Sequence, residues 1–155
     1  MTIATKLSAI FLVYALFGCG EQQGAYQKLD MKSPELLGIE KATNLSGAER
    51  WGRWTDGSPL KLQFASGLPK EFRLLLTVAH IYGPNTGKQI EVQVADQRQT
   101  FIGPAEGDKT VIQLDFKGVP KSTDTLQIAV PETLSQEGER KLGIGFESLE
   151  IAPLK

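Results

Sequence analysis

From residue 60 onward, apolar and polar residues alternate in short runs separated by turn-forming clusters. In Leu60-Lys61-Leu62-Gln63-Phe64 the three apolar side chains share one face of a half-buried strand, which stops at Ser66-Gly67-Leu68-Pro69. Phe72 to Ile81 is more continuously apolar. Periodicity alone allows a buried helix there, but turns bracket it closely and its neighbours alternate, so we read it as a central strand. Tyr82-Gly83-Pro84-Asn85-Thr86-Gly87 is a loop by composition. Ile90, Val92 and Val94 then alternate with Glu91 and Gln93, and Asp96-Gln97 turns that strand back into Arg98 to Ile102 as a hairpin.

The same pattern recurs in Val111 to Phe116 and in Leu126, Ile128 and Val130, and it closes with Leu142 to Ile151. In the last run Ile144, Phe146, Leu149 and Ile151 break strict alternation, which predicts a bulge near Glu147-Ser148. About eight short strands at regular spacing define an all-β fold: an antiparallel β-sandwich, jelly-roll-like, of the kind carbohydrate-binding modules use. The 16 glycines and 8 prolines, spread along the chain, agree with many turns. Glu35 to Asn44 adds either an edge strand or a short helix.

The first residues read differently. Lys6 supplies a positive charge, Leu7 to Leu16 an apolar stretch, and Leu16-Phe17-Gly18 precedes the single cysteine, Cys19. The stretch is too short to cross a hydrocarbon core of roughly 30 Å, which points to a signal segment over residues 1–18. It resembles the bacterial lipoprotein signal, with Phe17 larger than usual at its position. That resemblance implies cleavage before Cys19 and acylation of Cys19, palmitate among the acyl groups. Multiple acyl chains would hold the protein on membrane lipid, and Gly20 rather than Asp favours the outer membrane, facing the periplasm. The alternative is an ordinary secreted protein cut elsewhere. Residues 19–34 then form the lipidated cysteine and a polar tether, and residues 35–155 the sandwich. With its cysteine used as anchor, the chain has no disulfide framework to support it.

Charge excludes some partners. The 17 basic and 18 acidic residues form no long block of either sign, so nothing here marks a nucleic-acid partner or a polybasic membrane segment. Catalytic chemistry is equally sparse. His80 is the one histidine and has no metal-ligand spacing beside it, so it reads as an ordinary strand residue, and no metal or cofactor is implied. Gly143-Ile144-Gly145 has no helix after it and is not a phosphate loop. Glu49 and Asp56 are two acids with nothing to show that they face each other, as glycoside hydrolysis requires.

The densest cluster of unusual residues is Leu45 to Gly57, which holds both tryptophans, Trp51 and Trp54, with Glu49, Arg53 and Asp56. Together with Leu68-Pro69-Lys70-Glu71-Phe72, Tyr82-Gly83-Pro84-Asn85 and Arg140 to Gly145, it resembles the C-terminal β-domain of the phosphoglycerol transferase I family, which decorates osmoregulated periplasmic glucans. The resemblance implies a sugar-associated accessory module. These residues contain no counterpart of that family's membrane region or metal-dependent catalytic domain, so the resemblance does not carry transferase activity, and no catalytic residue is assigned.

Sugar rings lay apolar C–H faces on aromatic planes, while guanidinium and carboxylate groups satisfy hydroxyls. Trp51 and Trp54 are therefore expected as stacking platforms, with Arg53, Glu49 and Asp56 as polar partners and Tyr82, Asn85 and Arg140 on converging loops. The competing expectation is structural: tryptophans plugging the core, an Arg53–Glu49 ion pair, and an envelope lipoprotein that binds protein rather than glycan.

Overall fold

The structure, a computed structural model, describes residues 24–135 and 141–154. Its strands are β1 (Gln27–Asp30), β2 (Ile39–Thr43), β3 (Arg53–Trp54), β4 (Leu60–Phe64), β5 (Phe72–Ile81), β6 (Gln89–Val94), β7 (Gln97–Ile102), β8 (Thr110–Phe116), β9 (Thr125–Ala129), β10 (Leu134–Ser135), β11 (Lys141–Leu142) and β12 (Ile144–Ala152). One sheet has the order β1-β12-β5-β8, with β3 paired to the first part of β12. The other has the order β2-β4-β9-β6-β7, and β10 and β11 form a small ribbon. All pairings are antiparallel. Successive strands from β1 to β6 cross from one sheet to the other each time, the jelly-roll-like course expected of this sequence.

The two inner faces meet in one apolar core. Alternate residues Phe72, Leu74, Leu76 and Val78 of β5 point inward, as do Leu60, Leu62 and Phe64 of β4 and Ile90, Val92 and Val94 of β6. Phe72 and Phe116 stack across β5 and β8 with ring centres 5.2 Å apart. Phe72 to Ile81 is thus the central strand, and the helix that its composition also allowed does not form, because every second residue has a partner layer to bury against. The segment from Glu35 to Asn44 resolves as an edge strand, β2 on β4.

The folded part begins before residue 35. Gln27–Asp30, inside the stretch expected to be a tether, pair with Ile151 to Ser148, and Leu29 and Met31 are buried in the core. Two apolar side chains in an otherwise polar stretch suffice because β12 offers an open edge. Cys19 and the expected signal segment, residues 1–18, lie outside the described residues. Among those described, no helix is long and apolar enough to cross a membrane.

The register of β12 on β5 positions everything that follows. Phe146 opposes Val78 and Ser148 opposes Thr77, so Glu147 has no opposite residue. Gly145 opposes His80, so Ala79 has none. Each strand therefore carries one extra residue, and each extra residue reverses which side chains face the core beyond it. Leu149 and Ile151 stay buried because Glu147 absorbs the mismatch, as the broken alternation predicted.

Candidate functional site

Strict alternation from Phe72 would turn His80 inward. The extra residue at Ala79 instead sends Ile81 into the core and His80 to solvent. In the same cross-strand row, Gly145 of β12 lies between His80 of β5 and Trp54 of β3. Gly145 carries no side chain, and the edge of the Trp51 indole occupies the space: a Cβ there would stand 2.6 Å from Trp51 Cη2 and 2.8 Å from Cζ3. The outcome is a three-ring cluster on the outer face of the first sheet. Trp51 meets His80 edge to face at 4.4 Å and Trp54 edge to face at 5.4 Å, while Trp54 and His80 are nearly parallel at 5.9 Å. Both indoles are half-buried and His80 is exposed.

The loop that carries Trp51 is held from several sides. Trp51 Nε1 donates to Glu49 Oε2 at 3.0 Å, Glu49 N–H donates to Gly52 O at 2.8 Å, and Gly52 passes so close to β12 that a Cβ would lie 2.1 Å from Phe146 O. Trp54 N–H donates to Ser46 Oγ at 2.9 Å. The tryptophans are therefore neither core plugs nor free rings. They are fastened along one edge and open along another.

Arg53 takes no part in this surface. Its side chain points the other way along β3 and is 9% exposed, with Nη1 donating to Ser46 O at 3.0 Å and Nη2 to Ser33 O at 2.7 Å and Pro34 O at 3.0 Å. Burial pushes its guanidinium below the ordinary value. It pins the β1–β2 connection to the β3 loop through carbonyls, without the Glu49 ion pair that was the structural expectation.

Asn85 is likewise internal. Fully buried, it donates to Glu132 O and Gly143 O and accepts from Glu132 N–H at 2.9 Å, tying the turn after β5 to the strands near β12. Tyr82 begins that turn, half-buried, with its N–H on Gly143 O. Asp56 follows the buried Thr55 with its N–H on Asn44 O, and among the described residues no bond joins its carboxylate to the aromatic cluster. Arg140 lies outside the described residues. Of the residues expected to converge, the structure brings together Trp51, Trp54 and Glu49, and adds His80.

Beside the cluster, the outward Glu147 is bridged by Lys32 Nζ at 2.9 Å and by Lys109. Hydrogen bonds from Lys109 and Lys32, then their charges, lower its carboxyl to about 2. No group of three or more His, Cys, Asp or Glu side chains that could hold a metal occurs among the described residues.

Fold and site together define an antiparallel β-sandwich with an aromatic patch on the outer face of one sheet. Over residues 28–153 the chain matches the family described as a domain of unknown function, DUF7024, and it belongs to that family. It is also 34% identical over 123 residues to phosphoglycerol transferase I of Escherichia coli O139:H28 (strain E24377A / ETEC), and equally to that of Shigella boydii serotype 18 (strain CDC 3083-94 / BS512). These alignments cover 73% of this chain but 16% of each enzyme, so the similarity concerns a small part of the transferase. No solved structure matches the chain.

Proposed function

We propose that this protein is a non-catalytic, carbohydrate-binding accessory module of the bacterial cell envelope, anchored to membrane lipid through Cys19 and facing the periplasm from the outer membrane. The observation that carries this reading is the Trp51, Trp54 and His80 cluster. Three aromatic rings stand on the outer face of a sheet whose core is complete without them, and they present ring surface to solvent beside hydrogen-bonding groups. Exposed aromatic surface of this kind suits the apolar face of a sugar ring. Similarity to a limited part of phosphoglycerol transferase I supports an accessory domain that lacks most of that enzyme.

Both tryptophans of the chain lie in the cluster, so intrinsic fluorescence reports on the site directly. Titrating the full-length protein with gluco-oligosaccharides, lipopolysaccharide sugars and peptidoglycan fragments should give a saturable emission change, lost in Trp54→Ala and His80→Ala. Silence across the panel from a folded protein refutes the proposal and leaves the cluster as a structural brace in an envelope lipoprotein that binds protein. For the anchor, Cys19→Ser should move the protein from the membrane to the soluble fraction. A variant that still sediments with membranes counts against lipidation.

A further inference from the structure

The aromatic cluster borders an open depression of about 720 Å³ lined by Lys32, Pro34, Ala48, Glu49, Arg50 and Trp51. Its charged groups are unequally engaged. Glu49 accepts the Trp51 indole N–H, and Lys32 shares the Glu147 carboxylate with Lys109, so two ammonium groups converge on one acid. Asp30, next along β1, accepts the Lys32 backbone N–H at 3.0 Å. Arg50 is exposed, one residue from the stacking ring, and forms no ion pair among the described residues. A planar guanidinium in this position is matched to a carboxylate or phosphate, which it binds through two parallel N–H donors.

On the carbohydrate-binding reading above, we infer that the glycan taken by this site is an acidic one: a sugar ring lies against Trp51 while a carboxylate or phosphate ester on that ring or its neighbour is held by Arg50, with Lys32 as a second cation. Lys32 can lean toward such a group without stripping Glu147 of charge compensation, because Lys109 holds the other carboxylate oxygen. Glu49 lines the same depression and accepts the Trp51 indole N–H, which orients the stacking ring.

The test compares one neutral gluco-oligosaccharide with the same oligosaccharide oxidised to carboxylates at C6, titrated into the full-length protein and followed by tryptophan emission. Inorganic phosphate serves as a bare-anion competitor. The carboxylated form should bind about tenfold more tightly at low salt, a preference that shrinks toward parity near 0.5 M salt as screening shortens to a few ångströms (~4 Å). Arg50→Gln should reduce the preference to about twofold, and Gly47→Ala, which adds a methyl in open space on the same loop, should retain it. Equal affinity for the two oligosaccharides, or a preference that survives the Arg50→Gln, Lys32→Gln double variant, overturns the inference and leaves the glycan reading standing. Competition by phosphate as strong as by the carboxylated sugar also overturns it, since that marks an anion site without a sugar. Failure of both oligosaccharides to bind a folded protein removes this inference and the reading beneath it.

Discussion

Gly145→Ala is the smallest change that tests how the aromatic cluster is built. The added methyl would meet Trp51 Cη2 at 2.6 Å and Cζ3 at 2.8 Å, with His80 Cβ at 3.2 Å. Carbon atoms settle at about 3.5–4.0 Å, so the indole edge must retreat by roughly 1 Å. The clash is with the far edge of a side chain and not with backbone, so the ring can move, but moving has a cost. It opens the edge-to-face contacts with His80 and Trp54, each contributing about 0.5–1.5 kcal/mol, and it strains the 3.0 Å bond to Glu49, worth about 1 kcal/mol. Partial loss of these terms predicts a destabilisation of about 1–3 kcal/mol and a melting temperature lower by roughly 5–10 °C.

Thermal unfolding followed by tryptophan emission reads both effects, because a displaced Trp51 meets more water and its emission shifts red. Gly47→Ala is the internal control: the same methyl, on the loop that carries Trp51, with nothing within 4 Å. If Gly145→Ala melts within about a degree of the parent and keeps its emission maximum, Trp51 is not seated by the notch and the reasoning fails.

Arg53→Met should cost about 2–4 kcal/mol in urea unfolding, since it strands three carbonyls that are satisfied by a buried guanidinium, and Arg53→Lys should recover only part of that loss. Asn85→Ala leaves Glu132 N–H and the Glu132 carbonyl without their partner and removes one of two donors to Gly143 O, and should cost about 2–3 kcal/mol by the same assay. Glu147 has a folded pKa depressed from 4.5 to about 2, so its stabilisation is present above the unfolded value and disappears as pH falls from about 5 through 2. Asp115, held down by Arg73, and Asp124, held down by Thr125 and Gln63, act in the same direction, so Glu147→Gln should flatten part of the acid limb of stability. An acid limb identical to that of the parent would falsify the assignment.

Local alternation made β4, most of β5 and the β6–β7 hairpin legible, because apolar residues at every second position turn to the core there. The bulge in β12 was equally visible, since Phe146 and Leu149 cannot share a face without an extra residue between them. What alternation hid was its own interruption in β5. Ala79 and His80 look like a continuation of the run, and only the apolar Ile81 directly after His80 hints that the inward face has changed. Arg53 was misread for a related reason. In a segment containing two tryptophans it resembles a ligand contact, but strand parity between Arg53 and Trp54 sends neighbouring side chains to opposite faces, and the buried side of β3 has carbonyls of a distant loop to satisfy. Nothing local announces those carbonyls. The β1 strand was missed because it is short and mostly polar, and its pairing is supplied entirely by residues more than a hundred positions away.

The aromatic cluster and the charged group beside it have a common origin in the paired irregularities of β5 and β12. Without the extra residue at Ala79, His80 would enter the core and Ile81 would face water. Without the extra residue at Glu147, Leu149 and Ile151 would turn outward. Glu147, which has no opposite residue, projects from the outer face, where Lys32 from the β1 side and Lys109 from the β8 side both reach it. On either side of the Ala79 irregularity, Gly145 and Phe146 keep opposite orientations: Phe146 is buried and Gly145 leaves the outer notch for Trp51. Three successive residues of β12 thus join the inner core, seat an aromatic side chain outside it and place an ion-paired carboxylate alongside. A sheet in perfect register would lose both surface features and would also turn Ile81, Leu149 and Ile151 away from the core, so the irregularities serve site and scaffold alike.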